Sequence, residues 1–205
     1  MTKQDVAPTG TRTSAARGTD RKTQIIDVAT ALFRANGYHA TSLDDIANEI
    51  GFTKPAIYYY FKGKEDILFA IVESVVDAAL KRMRAIVVRD EPIADRLHAL
   101  LVENTRVVLE NLDANTVFYN ERGLLSPERE RMVRGREREY TQLVRDLYVA
   151  GVENGELVDI DPTVATSTLL GASIWAYRWF GADGQLSSDE VAEQVAHLLK
   201  SGYRR

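Results

Sequence analysis

The spacing of three residues in the first third of the chain restricts its local fold most strongly. Ala47, Gly51 and Ile57 lie four and then six residues apart. Two short helices that cross closely need a small residue at the crossing, a permissive residue in the turn and an apolar residue facing back. These three residues supply them in that order, and the stretch 41–64 is therefore predicted to be a helix-turn-helix. Its remaining core positions are Ile46, Ile50, Phe52 and Phe61.

Helix-capping residues stand at the ends of both predicted helices. Thr41 or Ser42 can cap the first helix, and one of the two aspartates that follow can complete a capping box. Gly51 ends this helix, because glycine adopts the left-handed conformation at little cost. Thr53 can cap the second helix, with Pro55 in its first turn.

The second helix, from about residue 54 to residue 60, has an aromatic and basic outer face. A buried helix would not carry three consecutive phenols, because each hydroxyl needs a partner. An exposed helix of this composition suits contacts with DNA phosphates and base edges, although surface tyrosines on an ordinary helical corner are the alternative. The outward residues are Lys54, Tyr58, Tyr59 and Tyr60, and Lys62 and Lys64 follow.

The net charge of the chain changes sign where the predicted helix-turn-helix ends, after residue 64. Residues 1–64 hold nine Lys/Arg and six Asp/Glu, a net of +3, whereas residues 65–205 hold seventeen and twenty-four, a net of −7, which together give −4. The basic part coincides with the proposed DNA-binding segment. The acidic remainder is expected to lie away from the phosphates.

Composition argues against other classes of protein. The chain has no cysteine, which excludes disulfides and thiolate metal sites. It has no run of about eighteen apolar residues and no apolar signal region, so we expect a cytoplasmic protein without membrane contact. An enzyme is the main competing class, but His39, His98 and His197 lie far apart, and no phosphate loop or nucleophile elbow is found. We therefore expect no catalytic residue, no metal site and no cofactor.

Apolar residues recur at helical spacing, so the predicted fold class is all-α. Residues 1–19 lack an apolar face and are expected to form a disordered arm. Residues 20–65 are predicted to form a three-helix DNA-binding domain, and residues 66–205 a larger helical domain for ligand binding and dimerisation. The basic residues at the N-terminus, which either reach the DNA backbone or belong to a plain solvated tail, are Arg12, Arg17, Arg21 and Lys22.

The helix predicted over about residues 163–180 is apolar nearly all round. Such a helix is buried on every side, which in a chain of this size implies a partner subunit. We expect this helix and the last one, which opens with a capping box at 187–190, to pair with their copies in a four-helix dimer interface. A homodimer also lets one short recognition helix use two half-sites.

The N-terminal segment resembles the TetR family of bacterial transcriptional regulators from about residue 23 to residue 69. The anchors, in order, are IIDVA at 25–29, LF at 32–33, NGY at 36–38, TS at 41–42, IA at 46–47, IG at 50–51, AIYYYF at 56–61 and KE at 64–65. The chain departs from the family at Tyr60, where members often carry His, and at Pro55, where they carry a small non-proline residue.

The resemblance implies binding to a palindromic double-stranded operator. It implies that Thr41 and Ser42 contact phosphates, and that Lys64 holds a phosphate at the start of the fourth helix. The tilt of that helix would set the spacing of the two recognition helices. The residues implied to lie in or beside the major groove are Thr53, Lys54, Tyr58, Tyr59 and Tyr60.

The C-terminal segment concentrates aromatic residues and two cations. Aromatic walls with few polar anchors are typical of ligand pockets, and core or dimer packing is the alternative. The candidate ligand-binding residues are Phe118, Tyr119, Arg122, Tyr148, Trp175, Arg178 and Trp179.

Short runs here resemble the TetR branch that controls fatty-acid and steroid-ring catabolism. They are FYNER at 118–122, LSPE at 125–128, WAYRWF at 175–180 and GQLS at 184–187. This resemblance implies an acyl-CoA thioester as inducer, with Arg122 and Arg178 meeting anionic groups. The alternatives are a multidrug-efflux-type repressor, which the paired arginines disfavour, and a DNA-binding protein of the same fold with no small-molecule ligand.

Overall fold

A computed structural model describes residues 14–181 and 183–205, and among them it contains nine α-helices and no strand. The predicted all-α class is confirmed. The described residues up to Ile67 form one compact unit, and those from Leu68 onward form another. The sequence predicts this boundary two residues earlier, between residues 65 and 66. The helices are α1 (Ser14–Asn36), α2 (Leu43–Ile50), α3 (Lys54–Tyr60), α4 (Lys64–Val87), α5 (Ile93–Glu110), α6 (Leu112–Glu121), α7 (Pro127–Glu153), α8 (Pro162–Trp175) and α9 (Ser188–Tyr203).

The predicted arm of residues 1–19 lies largely outside the described residues, and Arg12 with it. For positions 14–19 the structure differs from the prediction, because their backbone is helical and continues into α1. Two alanines and no proline occupy this stretch, so nothing stops the helix from extending. At its other end α1 stops at Gly37, which has a φ of 83° and donates its N–H to Phe33 O at 2.9 Å.

The core of the helix-turn-helix forms as the spacing predicts. Ala47 and Ile57 are buried at the crossing of α2 and α3. Gly51 takes the left-handed conformation, with φ 74° and ψ 28°. The following N–H, of Phe52, donates to Ala47 O at 2.8 Å, which satisfies a carbonyl at the helix end.

The two helix starts of this unit differ in their caps. Ser42, not Thr41, caps α2: its hydroxyl accepts from Asp45 N at 3.1 Å, and its own N–H donates to the Asp45 carboxylate at 2.8 Å. Thr53 occupies the cap position of α3, but the prediction of a side-chain cap there is wrong. Pro55 has no N–H to offer, and the N–H of Ala56 already donates to Thr53 O at 2.9 Å.

In the second unit, α5 packs along α9, and α8 lies against α5, α7 and α9. Asp161 caps α8 by accepting from the backbone of Thr163 and Val164 at 2.9 and 3.1 Å. Ser187 opens α9 with the predicted capping box. The helix predicted to reach residue 180 ends at Trp175 and tightens into a 3-10 turn, in which the N–H of Trp179 donates to Ala176 O at 3.2 Å.

Gly151 of α7 lies close to the side chains of Leu157 and Ile93, and this contact can be tested by substitution. A Cβ at Gly151 would lie 2.6 Å from Leu157 Cγ and 3.0 Å from Ile93 Cγ2, and Leu157 is fully buried. Gly151→Ala is therefore expected to lower the free energy of unfolding by about 1–3 kcal/mol. Thermal and urea denaturation at one fixed protein concentration measure it.

Gly135→Ala is the matched control on the same helix, where an added Cβ meets no atom within 4 Å. This substitution is expected to raise stability by about 0.5–1 kcal/mol, because alanine is the better helix former. Equal effects of the two substitutions would contradict the packing described around Leu157.

Candidate nucleic-acid interface and ligand cavity

Helix α3 turns one side chain into the core and presents phenols outward. Ile57 is fully buried, whereas Tyr59 is 82% exposed and Tyr58 50% exposed. Tyr60 is half-buried, and its ring meets that of Tyr59 edge-on, with the centroids 4.9 Å apart. The exposed rings and hydroxyls are free to meet bases and phosphates.

Lys54 lies beside these phenols but is held by a carboxylate. Its Nζ lies 2.7 Å from Asp44 Oδ2, and the hydrogen bond to Asp44 raises the pKa of Lys54. Both side chains are largely exposed, so the pair adds little to stability. A DNA phosphate would compete with Asp44 for this ammonium group.

Lys64 is anchored within its own unit. Its Nζ donates to Tyr38 O at 2.5 Å, to Thr41 O at 2.7 Å and to His39 O at 3.4 Å, and lies 4.2 Å from the centroid of the Tyr38 ring. Burial lowers the pKa of Lys64. An ammonium group has three donors, and all three are used here. To contact a phosphate, as the resemblance implies, Lys64 would have to give up one of these bonds. The phosphate contact stays a prediction.

The other predicted DNA contacts divide into buried and open groups. Thr41 is buried, and its hydroxyl donates to Gly37 O at 3.0 Å, so it is not a surface contact in this structure. Ser42 and Thr53 are exposed at the starts of α2 and α3. Arg21 and Lys22, predicted as part of the arm, belong to α1 and lie over the rings of Phe52 and Phe61 at 5.7 and 5.6 Å.

The second unit encloses a cavity of about 420 Å³ between α4, α5, α6, α7 and α8. Valine, leucine, isoleucine and alanine side chains, together with aromatic rings, form the apolar part of its wall. Its volume and lining are those of a site for a small organic molecule. The aromatic and polar lining residues are Phe118, Tyr119, Tyr140, Asn104, Asn111, Asn115, Ser74, Thr141, Ser167, Arg82 and Glu137.

Two tyrosines supply the cavity with neutral hydroxyls. Burial raises the pKa of Tyr140 and of Tyr119, and the charge of Glu137 raises the latter further. Both phenols therefore stay protonated at physiological pH. Tyr140 Oη donates to Asn104 Oδ1 at 2.7 Å, and both residues are buried.

The ionised lining groups are paired with neighbours. Arg82 Nη1 lies 2.6 Å from Glu103 Oε1, and Glu103 also accepts from Arg106. Burial of Glu103 opposes its ionisation, but the hydrogen bonds from Arg106 and Arg82 outweigh this and lower its pKa. Glu137 accepts from Arg122, whose guanidinium lies 5.2 Å from the centroid of the Phe118 ring.

Of the seven predicted ligand-binding residues, Phe118 and Tyr119 line this cavity. Arg122 does not line the cavity, but it pairs with Glu137, which does. Tyr148 is fully buried elsewhere, and its hydroxyl donates to Val158 O at 2.7 Å.

The remaining three predicted residues lie outside the cavity. Trp175 and Trp179 are 60% and 56% exposed, because α8 gives way to the 3-10 turn there. The Arg178 guanidinium stacks 5.7 Å from the Trp175 ring centroid.

The residues that sequence reasoning missed are the buried polar ones. Asn104 stands between Leu101 and Val108 at spacings of three and four, inside the apolar stripe of α5. A polar residue on an apolar stripe is a usable signal, because buried polar groups need a partner.

Among the described residues no group of side chains has the make-up of a metal site, and no helix is long and apolar enough to cross a membrane.

A helix-turn-helix with an exposed tyrosine-rich recognition helix, carried by a chain that also encloses an organic-ligand cavity, defines a ligand-responsive DNA-binding regulator. The family model for the tetR family of bacterial regulatory proteins matches residues 25–71, and that for the tetracyclin repressor-like C-terminal domain matches residues 90–203. The chain belongs to the TetR family. It is a DNA-binding transcriptional regulator.

Proteins of similar sequence and structure match this chain over nearly its whole length. The HTH-type transcriptional repressor KstR2 of Rhodococcus jostii is 27% identical over 184 residues, 89% of this chain and 90% of that protein. A TetR/AcrR-family regulator from Thermobifida fusca is 66% identical, with a TM-score of 0.73, and the match covers 91% of this chain and 100% of that structure. AibR, solved with isovaleryl coenzyme A and operator DNA, is 26% identical, with a TM-score of 0.78 and coverage of 87% and 97%.

The exposure of Tyr59 leads to a test of the DNA-binding surface. Tyr59→Ala removes a side chain that is predicted to contact DNA and that supports little of the core, so operator affinity is expected to fall about tenfold with the melting temperature unchanged. Fluorescence anisotropy with labelled operator DNA measures the affinity.

Val88→Ala serves as the control, because Val88, the first residue after α4, is about as exposed as Tyr59. It is expected to leave operator affinity as in the wild type. Equal affinity of wild type and Tyr59→Ala would remove Tyr59 from the interface.

Proposed function

We propose that this protein is a repressor released from a palindromic operator by an acyl-CoA thioester whose acyl group enters the cavity of the second unit. The observation that carries the proposal is the cavity itself: about 420 Å³, walled by aliphatic and aromatic side chains with polar groups between them. Such a space suits an acyl chain. The charged coenzyme A part would stay at the cavity mouth, where solvent screens its phosphates.

Relatives support this ligand class. AibR binds isovaleryl coenzyme A and operator DNA. The similar regulators named KstR2 are transcriptional repressors, one described as a ketosteroid regulator, and another relative is the fatty acid metabolism regulator of Bacillus subtilis. The polarity proposed here, repression, follows these relatives. We assign the protein no catalytic step and place its action in the cytoplasm.

Helix α4 is the element through which the ligand would act. It starts at Lys64, whose ammonium holds the connection between α1 and α2, and it lines the cavity with Val75, Ala79 and Arg82. A ligand that prefers a different position of α4 would shift the population toward a dimer whose recognition helices no longer match the groove spacing.

Ion pairs fix the resting position of α4 within the second unit. Arg82 ties it to α5 through Glu103 at 2.6 Å. Arg136 of α7 lies 2.9 Å from Glu73 and 3.4 Å from Asp77, both on α4. These pairs are partly exposed, so each contributes at most about 1 kcal/mol. The acyl contacts of a ligand are large enough to change their balance.

The dimer would form through α8 and α9. Each helix leaves large apolar side chains exposed in the single chain, Val164 and Trp175 on α8 and Leu198 on α9. Exposed apolar surface of this kind is what a partner subunit covers. Trp175 therefore belongs to the proposed interface rather than to the cavity.

Filling the cavity tests the proposal. Ala114 lines it from α6, and Ala114→Trp would occupy the space of the acyl group. Operator affinity is expected to stay unchanged, whereas the octanoyl-CoA concentration that releases half the operator rises at least about tenfold, because buried CH₂ contacts are lost. Anisotropy of labelled operator during titration with acyl-CoA thioesters of increasing length measures both quantities.

Asn120→Trp is the matched control, since it adds the same bulk on the exposed side of the same helix. It is expected to respond to thioesters as the wild type does. A wild-type protein that no thioester releases, or an Ala114→Trp variant that responds normally, contradicts the proposal.

A further inference from the structure

A residue of the cavity wall carries a buried hydrogen-bond donor that no other described residue uses. Asn104 is 5% exposed, and its Oδ1 accepts from the Tyr140 hydroxyl at 2.7 Å. Its Nδ2 is buried and has no hydrogen-bond partner among the residues that the structure describes. Both residues line the cavity. Buried polar groups are nearly always paired, so an unpaired amide at a cavity wall points to a partner that comes from the cavity.

In the orientation that the structure gives the amide, the unused group is a donor. With Oδ1 toward Tyr140, the two hydrogens of Nδ2 are free. With Nδ2 toward Tyr140, the phenol accepts, and its own O–H becomes free. The turned amide would also leave Oδ1 as a buried acceptor without a partner, whereas Oδ1 toward Tyr140 uses the phenol hydrogen and leaves only the amide donor, which needs an acceptor. A carbonyl oxygen is such a group, whereas a hydrocarbon chain is not.

The surroundings make this donor distinct from other polar groups of the cavity. Asn115 is also buried and lines the cavity, but its Nδ2 already donates to Asn111 O at 3.0 Å. Around Asn104 the wall carries Val107 and Val108 of α5, and the Leu170 side chain of α8 faces the same space. A hydrocarbon that displaced water from this region would leave the Asn104 amide without a partner.

We propose that Asn104 donates a hydrogen bond to a carbonyl oxygen in the acyl part of the inducer, and that Tyr140 positions the amide for it. The oxygen is either that of the thioester or a ketone further along the acyl group, which would make the inducer an oxo-acyl thioester. This inference rests on the proposed function for the thioester, but the recognition of a carbonyl oxygen does not itself require coenzyme A.

Isothermal titration calorimetry of the full-length dimer with matched ligands tests the proposal without any substitution. Octanoyl-CoA is compared with S-octyl-CoA, the thioether that lacks the carbonyl, and with the isomeric oxooctanoyl-CoA thioesters. At least one carbonyl-bearing ligand is expected to bind about tenfold or more tightly than its partner without that oxygen. A preference for octanoyl-CoA over the thioether identifies the thioester oxygen, and a further preference for one oxo isomer identifies a ketone.

A double variant links the preference to the two residues. Asn104→Leu combined with Tyr140→Phe removes both hydrogen-bonding groups at nearly constant shape, which leaves no orphan and is expected to cost little stability. The tenfold preference should disappear in it, while operator binding shows that it is folded. Asn115→Leu is the matched control and should keep the preference. Equal affinities in the wild-type series, or a preference that survives in the double variant, overturn the inference.

Octanone isomers and octene, titrated in the same way, separate this inference from the proposed function. If no thioester binds but octanone binds better than octene in the wild type and not in the double variant, the proposed inducer class is wrong and the role of Asn104 stands. If thioesters bind and release the operator with no carbonyl preference, the proposed function stands and the inference is wrong. If neither thioesters nor octanones bind, both are wrong.

Discussion

The bonds made by the Lys64 ammonium group are the interaction on which the proposed mechanism depends. Three backbone carbonyls between α1 and α2 accept from it, and the ring of Tyr38 covers it, so the first residue of α4 is tied to the segment that leads into α2. The same helix continues to the cavity wall at Arg82. The helix that begins at this anchor also contributes to the cavity wall, and it is the element through which the proposed mechanism would act.

The cavity combines features that a purely structural core would not need. A core of this size would be filled by apolar side chains, because voids forfeit packing contacts. Here about 420 Å³ stays open beside a buried amide and two protonated phenols. Such an arrangement is less stable than a filled core and is retained where a ligand completes it. The partly exposed ion pairs around α4 fit the same purpose, because they hold one arrangement without making it irreversible.

The sequence predicts the parts of this structure that depend on local spacing. Ser42, Gly51, Asp161 and Ser187 act through residues one to four positions away, so their caps and turns could be read directly. The error at Thr53 is also local, since the prediction overlooked that Pro55 cannot donate. The cavity could not be read in this way, because five helices far apart in sequence enclose it. Aromatic content led to Tyr148, Trp175 and Trp179, which lie elsewhere, whereas Asn104 carried the stronger signal of a polar residue on an apolar stripe.

The central claim is that ligand binding changes the spacing of the two recognition helices in the dimer, and a distance measurement tests it directly. The chain has no cysteine, so Glu49→Cys on the exposed face of α2 gives one spin label per subunit. Double electron–electron resonance then reports the distance between the two labels. We expect one distance distribution with operator DNA and a shifted one with saturating octanoyl-CoA. Release of the operator with an unchanged distance distribution would contradict it.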